Sequence, residues 1–160
     1  MELSKVADNF VNSLKVDNCV NIYDKPRIIE CPAWAIGENE YSLGISSNMK
    51  LTLAIAVEAV RSWYDEIQYY QYSANHYTGC SSRSGSDQST DHFTQVMWSD
   101  TKDVGCSVEF CPGSFTSYAL LICYYLPAGN IAGRNVFSSS AQKKLHEWRY
   151  NEKFNGLSAC

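Results

Sequence analysis

The chain has 160 residues, a net charge of −4 at pH 7 and no run of lysines or arginines, which argues against nucleic acid or an anionic membrane as its main partner. That length supports one domain able to bury a hydrophobic core of its own. Seven cysteines without a Cys-x-x-Cys pair favour a disulfide framework in an oxidising compartment over a zinc knuckle, and the odd count leaves one thiol over, with Cys160 the candidate.

Taken in order, residues 3–16 read as an amphipathic helix, because Leu3, Val6, Phe10, Val11 and Leu14 recur at three- and four-residue steps. Asp17-Asn18 end it. The stretch from Val20 to Gly37 is loop-like, broken by Pro26 and Pro32, and delivers an isolated Glu38. Ser46-Ser47-Asn48 offer caps for the longest helix candidate, Lys50 to about Tyr69, with Leu53, Ala56, Val57, Val60, Tyr64 and Ile67 as its apolar stripe. Trp63 and Glu66 are three apart and share a face of that helix. A polar loop then runs to Thr90, and Asp91 is placed to cap a short helix over 92–98.

Two strands follow, Val104–Cys111 and Ser117–Leu126, joined by the turn signal Pro112-Gly113-Ser114. Their apolar runs predict a sheet covered on both faces. Residues 131–138 read as a linker, and Ser139–Asn151 as a short amphipathic helix with Leu145 and Trp148 on one side. No apolar run approaches the ~18 residues of a membrane span. Glu2 and Lys5 stand where a secretory leader would be apolar, so secretion implies a leader already removed or a chain that begins within the mature protein.

His92 is one of three histidines, and with Glu38 and Glu66 it makes the best candidate site. An imidazole beside two carboxylates can bind a divalent metal or hold a water between an acid and a base. The competing reading is architectural, with His92 packed in its helix and the glutamates on the surface. Spacing alone does not decide between them.

The sequence resembles the CAP superfamily, which groups cysteine-rich secretory proteins, antigen-5 venom allergens and plant pathogenesis-related proteins. Four ordered motifs carry the resemblance: Gly37-Glu38-Asn39, Trp63-Tyr64-Asp65-Glu66, His92-Phe93-Thr94-Gln95-Val96-Met97-Trp98 with Gly105-Cys106, and Cys123-Tyr124-Tyr125-Leu126-Pro127-Ala128-Gly129-Asn130. The resemblance implies an α+β fold, a three-layer α-β-α sandwich, with residues 1–135 as the CAP domain and 136–160 as a C-terminal extension. No segment ahead of Leu3 matches the helix with which family members usually begin, so either the chain starts inside a longer protein or it is a short form; such a loss would expose part of the core and favour association with a partner or a second copy.

In the family, two histidines and two glutamates line a cleft that can bind zinc. This chain supplies Glu38, Glu66 and His92, but Tyr23 stands where the first histidine belongs, four residues after Cys19. A neutral phenol is a poor zinc ligand beside imidazole, so a weakened metal site is expected, with His76 a remote substitute and no cofactor required. By resemblance Cys19 pairs with Cys111 and Cys106 with Cys123, leaving Cys31 and Cys80 to each other and Cys160 free.

The resemblance further implies a secreted, venom-allergen-like protein that binds sterol or fatty acid, or an extracellular or host protein. A homodimer is a further partner reading, and Cys160 could link two copies. Tyr70, Tyr72 and Tyr77 match the spacing of a sterol-binding loop, where ring faces meet a flat apolar ligand. The alternative is a hydrolase or protease using His92 with Glu38 and Glu66, or a zinc-dependent activity in the same cleft. No Gly-x-Ser-x-Gly elbow supplies a nucleophile.

Overall fold

The computed structural model describes residues 2–15, 36–45, 52–70, 76–77, 89–112 and 117–144. They fall into two compact units, Met1–Arg61 with Thr101–Ala128, and Ser62–Asp100 with Gly129–Cys160. The secondary structure is α+β, as expected.

The first unit is built on an antiparallel sheet. Its strands are β1 (Gly37–Ile45), β2 (Asp103–Cys111) and β3 (Ser117–Leu126), in the order β1-β3-β2. β3 is the central strand and is buried along nearly all its length, which is why its sequence reads as a continuous apolar run rather than an alternating one. Helix α1 (Leu3–Lys15) covers one sheet face. Leu3, Ala7 and Phe10 pack there against Leu120, Ile122 and Tyr124 of β3 and Cys111 of β2. On the opposite face Ala119, Leu121, Cys123 and Tyr125 are buried as well.

Gly105 is required by the crossing of α1 over β2. A Cβ there would overlap the backbone of Leu3 and Ser4, and main chain cannot rotate out of the way as a flexible side chain can. Next to it, Cys106 stands opposite Cys123 in the register and is joined to it by a disulfide. Cys111 is also disulfide-bonded. Its expected partner Cys19 lies outside the described residues, as do Cys31, Cys80 and Cys160.

β1 is a strand that the sequence reading did not anticipate, having treated Glu38 as a loop residue. The period-two signal is present: Gly37, Asn39, Tyr41, Leu43 and Ile45 share one face, and Glu38, Glu40, Ser42 and Gly44 the other. Asn39 is buried and donates from Nδ2 to the Tyr125 hydroxyl at 3.3 Å.

Helix α2 spans Thr52–Asp65 and continues as a 3-10 turn, Glu66–Tyr69. Its expected core stripe is corrected except at Ile67, which packs against the cluster of Phe93 and Trp98. Leu53, Val57, Val60 and Tyr64 are exposed, and the buried face is Ile55, Ala59 and Trp63. Both sets recur at helical spacing, so periodicity alone could not choose between them.

In the second unit, helix α3 (Asp91–Val96) begins one residue earlier than expected. Its N-cap is Thr90, not Asp91, and makes no side-chain cap bond; Ser89 Oγ accepts the Asp91 N–H at 3.2 Å instead. Phe93, Trp98, Tyr70, Val136 and Phe137 form the core. The supposed linker 131–138 therefore supplies two core side chains, and the packed region runs past residue 135. Residues 139–144 are helical, with Ala141 against the same core.

Candidate functional site

Two of the three expected site residues meet in the second unit. Glu66 opens the 3-10 turn and His92 is the second residue of α3. His92 Nδ1 lies 2.7 Å from Glu66 Oε1, and the Phe93 N–H donates to Glu66 Oε2 at 3.0 Å. One carboxylate thus holds both the imidazole and a backbone amide at the first turn of α3, an end of a helix where unpaired N–H groups favour negative charge. Trp63, one turn before Glu66, stacks on the His92 ring with centroids 6.2 Å apart and planes 16° from parallel. The i, i+3 spacing of Trp63 and Glu66 therefore delivers a flat apolar face and a carboxylate to the same imidazole.

Glu38 stands on β1 of the first unit, opposite Tyr124 in the register, with its side chain exposed. Tyr23 lies outside the described residues. His76 is exposed and forms an isolated bridge opposite Asn135. Among the described residues, no group of three or more His, Cys, Asp or Glu side chains gathers to hold a metal. A protein metal centre ordinarily takes at least three such ligands, and His92 Nδ1 is committed to Glu66. The described donors do not by themselves make that centre.

Chemically, the pair is an imidazole oriented by a carboxylate, the arrangement that fixes a ring's tautomer in acid–base sites. The same contacts also pin α3 against the 3-10 turn. A second network adjoins them. The Gly129 N–H donates to Gln95 Oε1 at 2.9 Å. The Thr94 hydroxyl donates to Asn130 Oδ1 at 2.7 Å, and Asn130 Nδ2 donates to the Asp91 carbonyl at 2.8 Å. Asn130 has φ 55°, a left-handed conformation that asparagine tolerates better than most residues. Thr94 and Gln95 of one motif are thus tied to Asn130 and Gly129 of the other. Sequence reasoning identified the motifs but assigned no role to Thr94, Gln95 or Asn130.

The proposed sterol-loop tyrosines are placed differently from expectation. Tyr70 is 8% exposed, its ring tilted against Phe93 at 5.4 Å and edge-on to Phe137 at 5.6 Å. Tyr77 is half-buried; it meets Trp98 edge-on at 6.3 Å and donates its hydroxyl to Asp91 Oδ1 at 2.9 Å. Tyr72 lies outside the described residues.

A model of the cysteine-rich secretory protein family, CAP, matches residues 4–125. The chain belongs to the CAP family. It is 31% identical over 137 residues to venom allergen 5 of Microctonus hyperodae, covering 85% of this chain and 53% of that protein. It is 36% identical over 93 residues to salivary antigen-5 of Triatoma infestans, covering 54% of this chain and 33% of that protein. The chain thus spans about half, or less, of the length of these CAP relatives. Among solved structures it matches BmVAL-1 with a TM-score of 0.60 at 29% identity, over 85% of this chain and 61% of that one. The CAP fold and the venom-allergen-like likeness rest on these matches. Among the described residues no helix is long and apolar enough to cross a membrane.

Proposed function

We propose that this chain is an extracellular CAP binding module of the venom-allergen type, which engages a sterol or fatty acid, or an extracellular protein, without turning over a substrate. The observation that carries this reading is the commitment of the site's polar groups to architecture. Both oxygens of Glu66 hold α3, through His92 and the Phe93 amide. Relatives named for venom and saliva, together with a disulfide between Cys106 and Cys123, support an oxidising, extracellular setting.

The lipid reading rests on the sequence pattern Tyr70, Tyr72, Tyr77. Tyr70 is in the core and the half-buried Tyr77 packs against it, so Tyr72 is the residue to test. Binding of a fluorescent sterol and a fluorescent fatty acid is measured on wild type and Tyr72→Ala. One lost aromatic contact should weaken binding about tenfold, or ~1.4 kcal/mol. Unchanged affinity would remove lipid from the proposal.

A hydrolase is the second reading, favoured by the 2.7 Å contact that orients the His92 ring. A panel of unfolded protein substrates, incubated with wild type and His92→Ala, separates the two. Equal background cleavage supports the binding module; cleavage lost with His92 supports the enzyme.

A further inference from the structure

Helix α2 carries a second apolar face that stays largely open among the described residues, although the Tyr64 ring meets Phe93 edge-on with centroids 5.8 Å apart. Leu53, Val57, Val60 and Tyr64 are 75%, 60%, 48% and 41% exposed. Single exposed apolar residues are ordinary. These four, however, follow steps of four, three and four, which aligns them as one seam along an α-helix and is the spacing by which one helix packs into another. At those exposures the seam leaves on the order of 400 Å² of apolar surface open, the size at which an exposed patch marks an interaction site.

We propose that this face joins two copies of the chain in a twofold dimer, through an antiparallel contact between the two α2 helices. The 4-3-4 order reads the same in both directions, as a twofold interface requires. Leu53 then meets Tyr64 of the second copy, and Val57 meets its Val60. In this register Arg61 lies across from Ala56, and Glu58 is exposed well off the seam, so no like charges oppose each other. Ala54 and Ala56 flank the seam and let the helices approach. About 400 Å² from each copy supplies most of the apolar share of a standard interface, which buries ~800 Å² per partner and is a little over half apolar.

A membrane surface fits this face less well. Interfacial helices carry basic polar faces, whereas α2 has one base, Arg61, against Glu58 and Asp65.

Sedimentation velocity of the full 160-residue chain over a concentration series tests the dimer. The expected result is a dimer fraction that rises with concentration in wild type and is lost in Val57→Asp. Because Val57 is exposed, circular dichroism of Val57→Asp should match wild type, and its thermal unfolding should match that of wild type at concentrations where wild type is monomeric. Ser62→Asp, exposed on the same helix but off the seam, should dimerise as wild type does. A wild type that stays monomeric throughout, or a dimer unaffected by Val57→Asp, would overturn the proposal. So would a dimer that survives a non-reducing denaturing gel, since a disulfide would then join it. Co-sedimentation of the monomer with phosphatidylcholine vesicles, lost in Val57→Asp, would assign the face to a membrane and overturn it too.

Discussion

Gln95 and Gly129, 34 residues apart, lock together two motifs: the Gly129 N–H donates to Gln95 Oε1 at 2.9 Å. A Cβ on Gly129 would stand 2.7 Å from Gln95 Nε2 and 2.8 Å from Trp98 Cγ. Gly129→Ala is therefore expected to cost about 1–3 kcal/mol through overpacking. Gln95→Ala should cost about the same, because it leaves a buried N–H without its acceptor. Urea unfolding checks both. The double mutant should lose less than the sum, since each change breaks the same contact.

At Gly105 the obstacle is main chain. Gly105→Ala would drive a methyl into the backbone of Leu3 and Ser4, and α1 would have to lift from the sheet. A loss of about 3 kcal/mol or more is expected, with hydrogen exchange accelerating first in α1. Gly133 is the control: it has φ 76° but no atom within 4 Å of a built Cβ. Gly133→Ala should cost only ~1 kcal/mol, from backbone conformation alone.

Glu66→Ala removes the partner of His92 Nδ1 and of the Phe93 N–H together. The carboxylate is mostly buried, so a loss of about 2–3 kcal/mol is expected from two hydrogen bonds to a charged group. Glu66→Gln should fall between wild type and Glu66→Ala. Urea midpoints give the order, and near-ultraviolet circular dichroism reports whether Trp63 keeps its stacked environment.

Tyr125 gives stability a dependence on alkaline pH. Burial pushes its hydroxyl up to about 12, opposed in part by the hydrogen bond from Asn39. The folded state then holds this proton to higher pH than the unfolded chain, whose tyrosines ionise near 10. Its contribution is fully present below about pH 10 and is lost as pH rises toward about 12, amounting to ~2–3 kcal/mol. Urea unfolding across that window should show the fall in wild type and a shallower one in Tyr125→Phe.

Much of the architecture was legible in the sequence. The apolar run of Ser117–Leu126 announced a strand buried on both sides, and Leu3 and Phe10 at helical spacing announced α1. The four motifs named the family. β1 was missed although Asn39, Tyr41 and Leu43 alternate with polar residues, because the preceding Pro and Gly suggested a loop. Val136 and Phe137 were taken as linker because two apolar residues among serines carry no periodic signal.

The sequence by itself determined the family and the helical or strand character of α1, α2, α3, β2 and β3. What it could not determine was which face of α2 is covered, where Tyr70 points, or whether Glu66 and His92 meet. Ile55, Ala59 and Trp63 recur as regularly as Leu53, Val57 and Val60, and local spacing assigns both rows to a helix face. Burial depends on which neighbours the rest of the chain brings alongside. Likewise, 26 residues separate Glu66 from His92, and only the packing of α3 against the 3-10 turn closes that interval to hydrogen-bond distance.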